Sequence, residues 1–231
     1  MRKTSFYSTK YLMLLSMLLM TFLLAGTVTA AKICSLGWFK LPASTIIFPL
    51  TYALGDIITE VYGYKAMRKM LWNAVVCGFV FIFAILTLLN IPSPTDWSLN
   101  QSFSIVFRYT WLFTIIASIG MIAGSLLNCY IIAKFKIIMQ GKYFWLRSII
   151  AASLGDLLHI LILYLIIFGL VQKLANNVLL EMIVSAYFYR LLFAVAIALP
   201  ANLVIILLKK SENLDVYDIN TNFNPFKLSS T

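Results

Sequence analysis

Charge is what this chain has least of. Only 11% of its 231 residues are charged, while 62% are hydrophobic. A soluble domain carries about 25% charged residues. A globular surface cannot be covered with less than half of that unless most of it faces something other than water. A soluble globular fold is excluded on this ground, and a disordered chain with it. Histidine occurs once and acidic residues eight times. That leaves little for hydrolytic or redox chemistry, and the chain reads as a non-enzyme. The three cysteines, Cys34, Cys77 and Cys129, lie scattered in apolar stretches, with neither a disulfide framework nor the paired spacing of a metal site. The GxxxxGK[ST] phosphate loop, HExxH, dinucleotide-binding glycines, a voltage-sensor arginine series and a TVGYG filter are all missing. The sequence calls for no metal and no cofactor.

Long apolar runs are what is there. A transmembrane helix needs about 20 mostly apolar residues. Six stretches qualify, roughly 11–31, 41–61, 71–91, 110–133, 147–170 and 185–208. They are continuous rather than alternating, which argues against a barrel. The expected fold is an all-α integral membrane protein of six transmembrane helices. It forms a single domain over residues 1–231, with 209–231 as a polar tail. Arg2, Lys3, the apolar run and Val28-Thr29-Ala30 also resemble a cleavable signal peptide. Its removal would leave five spans.

The net charge of +10 then becomes an orientation marker, since Lys and Arg favour cytoplasmic loops. Thirteen basic residues fall on one side of the six-span layout: Arg2, Lys3, Lys10, Lys65, Arg68, Lys69, Lys134, Lys136, Lys142, Arg147, Lys209, Lys210 and Lys227. Five fall on the other: Lys32, Lys40, Arg108, Lys173 and Arg190. Both termini are expected in the cytoplasm, and the positive balance needs no nucleic acid to explain it.

Charged groups at membrane depth are costly and usually mark function. Here they sit in a repeated pattern of Gly, polar, two aliphatics, polar. It occurs as Gly55-Asp56-Ile57-Ile58-Thr59, Gly124-Ser125-Leu126-Leu127-Asn128 and Gly155-Asp156-Leu157-Leu158-His159. The two polar positions share a helix face, and the glycine admits a second backbone or a ligand. At 1.5 Å per residue, Asp56 and Asn128 lie about 7–8 Å from the cytoplasmic ends of their spans, Asp156 about 13 Å and His159 about 18 Å. Asn202, just after Pro200, lies about 9 Å in. That arrangement suits a central polar cavity reached from the cytoplasmic half, and it equally suits hydrogen bonds that tie helices together. His159 can be a packed histidine or, one turn from Asp156, part of a proton relay.

Aromatic residues make up 15% of the chain. Tyr11, Trp38, Trp72, Trp97, Trp111 and Trp145 fit an interfacial belt. Phe48 and Tyr52 share a helix face with Asp56, so two rings and a carboxylate could hold a flat heterocycle by stacking and hydrogen bonding.

The stretch from Phe48 to Gly63, FPLTYALGDIITEVYG, followed by Arg68 and Trp72, resembles the signature of the vitamin-uptake-type queuosine precursor transporters. Their pattern is FP-x-[ST]-x-x-x-x-D-x-x-T-E-x-Y-G running into a basic turn. Trp145-Leu146-Arg147 with Gly155 fits a second family pattern loosely. The resemblance implies a multi-pass carrier of the inner (plasma) membrane that imports 7-deazaguanine compounds, such as 7-cyano-7-deazaguanine, for tRNA modification. Asp56, Glu60 and Arg68 carry over most directly, and Arg147 after them. Asn128 and His159 stand where family members usually have acids, and Asp156 where they often have Gln or Glu.

The expected partners are therefore a small purine-like molecule and the lipid bilayer, and a homo-oligomer stays open. The expected substrate contacts are Phe48, Tyr52, Asp56, Glu60, Asn128, Arg147, Asp156 and His159. Arg68 and Lys69 are the expected ion-pair partners of Glu60 at the cytoplasmic mouth. The same signature could also be only a tight hairpin held by that pair. A secondary carrier is the leading reading. The alternatives are the substrate-binding subunit of an ATPase-driven vitamin importer and a non-transport membrane scaffold.

Overall fold

The computed structural model describes residues 9–30, 32–37, 39–108, 110–171 and 173–227. Arg2, Lys3, Ala31 and Trp38 lie outside them. The described chain is almost entirely helical: α1 (Leu12–Thr29), α2 (Ala43–Tyr62), α3 (Tyr64–Leu89), the short α4 (Asn100–Arg108), α5 (Thr110–Ile138), α6 (Phe144–Tyr164) and α7 (Asn176–Glu212). A π-helical turn, Leu165–Val171, prolongs α6. The all-α expectation missed one feature. Between α1 and α2 an antiparallel hairpin pairs β1 (Ile33–Leu36) with β2 (Phe39–Pro42), Ile33 opposite Pro42 and Leu36 opposite Phe39. Gly37, at φ 59°, starts its tight turn.

Among the described residues, five stretches are long and apolar enough to cross a membrane: α1, α3, α4–α5, α6 with its π-turn, and α7. The sixth long helix, α2, is different. Its 20 residues span about 30 Å, long enough to cross, but its sequence holds Ser44, Thr45, Thr51, Asp56, Thr59 and Glu60, all buried. It packs against α1, α3, α5 and α7. A helix enclosed by others need not present an apolar face to lipid, so its polar residues face protein. The outer helices show the complement. Phe83, Leu88, Leu199 and Leu203 are among their most exposed residues.

The two ends of the bundle are closed differently. At the end where α1 begins and α7 finishes, the Glu212 carboxylate accepts from the backbone N–H groups of Lys10 and Tyr11 at the start of α1 (3.1 and 2.8 Å) and from the Tyr62 hydroxyl (2.7 Å). At the hairpin end, the Thr45 and Tyr164 hydroxyls meet at 3.0 Å and tie α2 to α6.

Residues 213–227 were expected to be a polar tail and are instead part of the packed structure. The tail turns back across α2, α3 and α5. Asp218 accepts from the Tyr64 backbone N–H (2.9 Å) and so satisfies a donor at the start of α3. Arg68 Nη1 donates to the carbonyls of Asn222 and Asn224 (2.8 and 2.6 Å), and Trp72 Nε1 to that of Pro225 (2.8 Å). Phe223 packs at a tilt against Tyr64 and meets Tyr130 edge-on. Gly63 makes this possible. Its φ of 87° suits the break between α2 and α3, and a Cβ there would sit 2.7 Å from Val216 Cγ1. Trp72, expected in the interfacial belt, is thus a tail anchor.

Asp215 adds a pH-sensitive element. Partial burial raises its pKa, but the ammonium groups of Lys136 (2.5 Å) and Lys209 (2.9 Å) outweigh this and hold it below its ordinary value of 3.8. A carboxylate depressed in the folded state contributes stability above its unfolded pKa and loses it as the pH falls through the folded value. Thermal unfolding in detergent should therefore show Asp215→Asn below wild type above about pH 5, with the gap closing as the pH drops below about 3.8.

Candidate functional site

The repeated glycine patterns of α5 and α6 meet. A Cβ on Gly124 would lie 2.6 Å from the Gly155 carbonyl oxygen and 2.6 Å from the Tyr52 hydroxyl, and one on Gly155 would lie 2.7 Å from the Gly124 oxygen. Both glycines are therefore required for the backbones to cross in contact. A third glycine, Gly120, faces the His159 ring, with 2.9 Å between its would-be Cβ and Cδ2. This close crossing sets Asn128, Asp156 and His159 against α2, where Phe48, Tyr52 and Asp56 project. The three pattern copies thus converge on one interior region.

Two polar sets occupy it. The first lies toward the terminal end. Asp56 is 2% exposed, and its Oδ2 accepts from the Ser148 hydroxyl. Asp56 Oδ1, both amide atoms of Asn128 and the Tyr52 hydroxyl are buried without a hydrogen bond of good geometry among the described residues, the Tyr52 hydroxyl lying beside the Ser125 side chain. Asn128 lies beside Asp56 without meeting hydrogen-bond geometry. The second set lies toward the hairpin end. Asp156 pairs with Arg190 of α7 (2.9 Å), and the same guanidinium nitrogen lies 3.4 Å from His159 Nδ1. His159 Nε2 and Arg190 Nε are again buried and unpartnered. Rings surround this set. Phe48 meets His159 edge-on at 4.3 Å and lies 4.8 Å below the Arg190 guanidinium, while Tyr52 and His159 are nearly parallel, with centroids 6.4 Å apart.

A cavity of about 60 Å³ adjoins the second set, roughly four times the 10–15 Å³ one water needs. Phe48, Phe168, His159, Arg190, Thr114 and Ser118 contribute to its largely apolar wall. The π-turn supplies Phe168. The cavity belongs to the hairpin half of the bundle, not the half expected from the depths of Asp56 and Asn128. At the other end ion pairs and the tail occupy much of the interior and leave a polar crevice beside them.

There Glu60, 1% exposed, is the centre of a charge cluster. Arg147 of α6, fully buried, donates to both its carboxylate oxygens (2.7 and 3.3 Å). Lys209 of α7 donates at 2.7 Å, and Lys136 of α5 stands at 3.6 Å while donating to the Glu60 carbonyl at 2.6 Å. The expected Glu60–Arg68 pair is not formed, because Arg68 points across α3 to the tail carbonyls. Lys69 is exposed on the same helix. Arg147 and Glu60 thus lie in this closed end and not in the cavity. Asn202 lines a second, polar crevice of about 230 Å³ with Glu60 and Lys209.

The matching family model is described as "Putative vitamin uptake transporter" and covers residues 42–205, more than half of the chain. The chain belongs to this family. No curated protein and no solved structure matches it. The matched stretch of this vitamin uptake transporter, a multi-pass membrane protein, opens at the start of α2 and ends within α7. It holds both polar sets, Glu60 and Arg147, while Lys209 and the tail lie beyond it.

Arg190 is the residue that sequence reasoning misplaced. The loop count treats it only as an orientation marker of the outer side, whereas it is 1% exposed and paired with Asp156. The signal was present: an arginine inside the apolar run 185–208 needs a buried acid, and Asp156 was the acid still without a partner. Lys136 and Lys209 were likewise counted as loop charges although their ammonium groups reach Glu60.

Proposed function

We propose that this transporter imports a flat, uncharged purine-like heterocycle of the queuosine-precursor class, 7-cyano-7-deazaguanine or a related 7-deazapurine. It does so as a secondary carrier by alternating access around the two polar sets. The single observation that carries this reading is the buried group of Tyr52 Oη, Asp56 Oδ1 and the Asn128 amide, without a hydrogen bond of good geometry among the described residues. An unsatisfied buried polar atom costs about 1–3 kcal/mol, so a cluster of them at membrane depth points to a molecule that completes it. A guanine-like edge offers N–H donors to Asp56 and Asn128, and Phe48, Tyr52 and His159 offer ring faces. In this reading the six long helices all cross the inner (plasma) membrane as one domain, with both termini cytoplasmic. The Glu60–Arg147–Lys209 cluster and the tail then form the closed inner gate. His159 is the proposed proton partner, so His159→Ala should make uptake insensitive to the proton gradient.

Thermal unfolding of the purified protein with a panel of purines and 7-deazapurines tests the substrate class. A ligand at a hundred times its Kd should stabilise by about 2.7 kcal/mol. Stabilisation by 7-deazaguanines is the expected result, and no response to any of the panel would overturn the assignment.

A further inference from the structure

We infer that Arg190 is a specificity-determining residue of the transport site, donating its Nε–H to a hydrogen-bond acceptor on a neutral ligand; this inference rests on the reading above. The argument starts from charge. Arg190 Nη1 is engaged by Asp156 at 2.9 Å, so the pair is neutral as a whole. A bare guanidinium in this apolar wall would attract an anion, whereas a neutralised one offers directed N–H donors without demanding a counter-charge. One of those donors, Nε, is buried and unpartnered, as is His159 Nε2 beside it. Both residues line the cavity, and the guanidinium carbon stands 4.8 Å over the centre of the Phe48 ring, a cation–π contact that helps hold it in place.

Position decides which part of the ligand it reads. Phe48 and Asp56 are eight residues apart on α2, about 12 Å along the axis. The cavity reaches Phe48, His159 and Arg190 but not Asp56 or Asn128, so in the reading above a heterocycle that gives its donor edge to Asp56 and Asn128 enters it between Phe48 and His159 and brings its opposite edge toward Phe48, against which Arg190 lies. In a 7-deazaguanine that edge carries the 7-substituent. The acceptor read by Arg190 is accordingly a neutral group such as a nitrile at that position, and a carboxylate there would find no net positive charge, since Asp156 already neutralises the guanidinium.

The test uses the purified full-length protein and a matched pair of ligands, 7-cyano-7-deazaguanine and 7-deazaguanine, with dissociation constants measured by titration calorimetry. Wild type should prefer the nitrile by about 10- to 100-fold, the range of a charged hydrogen-bond donor. The double variant Asp156→Asn/Arg190→Gln keeps a neutral hydrogen-bonding pair in place of the ion pair. It should lose the nitrile preference, read as the ratio of the two dissociation constants in the same folded protein whatever its overall affinity. Arg190→Lys, which keeps the charge and removes Nε, should lose it as well. Equal wild-type affinity for the two ligands, or a preference that survives in either folded variant, would overturn the role of Arg190 and leave the substrate class standing. Absence of binding by wild type to both would overturn the substrate class and this inference together.

Discussion

Glu60→Ala should lower the stability of this transporter by about 3–5 kcal/mol, the range for breaking a buried ion pair from one side. Arg147 is fully buried and Lys136 nearly so, and both turn toward the Glu60 carboxylate, with Lys209 as a third cation. Removing the acid leaves Lys136 and Lys209 with Asp215 alone and Arg147 with no carboxylate at all. Arg147 keeps only main-chain acceptors, the carbonyls of Ile132, Gly141 and Lys142. Glu60→Gln should be milder, because an amide oxygen still accepts one of the three. The double variant Glu60→Ala/Arg147→Leu should recover part of the loss, since replacing both partners of a buried pair by apolar groups is often near neutral. Thermal unfolding in detergent of the four proteins checks this order. A Glu60→Ala protein as stable as wild type would show that the cluster is solvated and does not close this end of the bundle.

The second large effect is expected at the crossing of α5 and α6. Gly124→Val places a branched side chain where even a Cβ would stand 2.6 Å from the Gly155 oxygen, 2.6 Å from the Tyr52 hydroxyl and 2.8 Å from His159 Cβ. Two of these neighbours move only with a helix backbone. The cost should reach the upper end of the 1–3 kcal/mol typical of overpacking, about 3 kcal/mol, and ligand-induced stabilisation should vanish with it, because Tyr52 and His159 are both displaced. Gly26→Ala serves as the comparison. Its added methyl lies 3.9 Å from Phe48 Cδ2, an ordinary contact, and the protein should unfold within about 0.5 kcal/mol of wild type. Comparable destabilisation by both substitutions would mean that the crossing is looser than described.

How much of this was legible in the sequence differs by residue. Apolar runs announced α1, α3, α5, α6 and α7, because a lipid-facing surface leaves no choice of composition. The glycine–polar pattern picked out the interior faces of α2, α5 and α6, because close helix approach and buried polar groups are both rare enough to stand out. Pair assignments failed where partners are far apart in sequence. Glu60 meets Arg147, 87 residues away, rather than its neighbour Arg68, and Asp156 meets Arg190 on another helix. Spacing along one helix says nothing about such contacts. The tail reads as polar surface from its composition, and the groove beside Gly63 and Arg68 that orders it is formed by residues 154 to 156 positions away. The hairpin at 33–42 was short, and its strands could equally have been read as span ends.

The central claim is that the polar set around Asp56 receives a transported heterocycle. Uptake of labelled 7-cyano-7-deazaguanine into proteoliposomes holding this protein alone tests it most directly, with Asp56→Asn run alongside. Asn is close in shape to Asp and can still accept from Ser148, so the variant should fold. The account predicts uptake by wild type without added ATPase and its loss, by at least tenfold, in an Asp56→Asn protein that unfolds near the wild-type temperature. Uptake that is undiminished in Asp56→Asn, or absent from wild type, would contradict it.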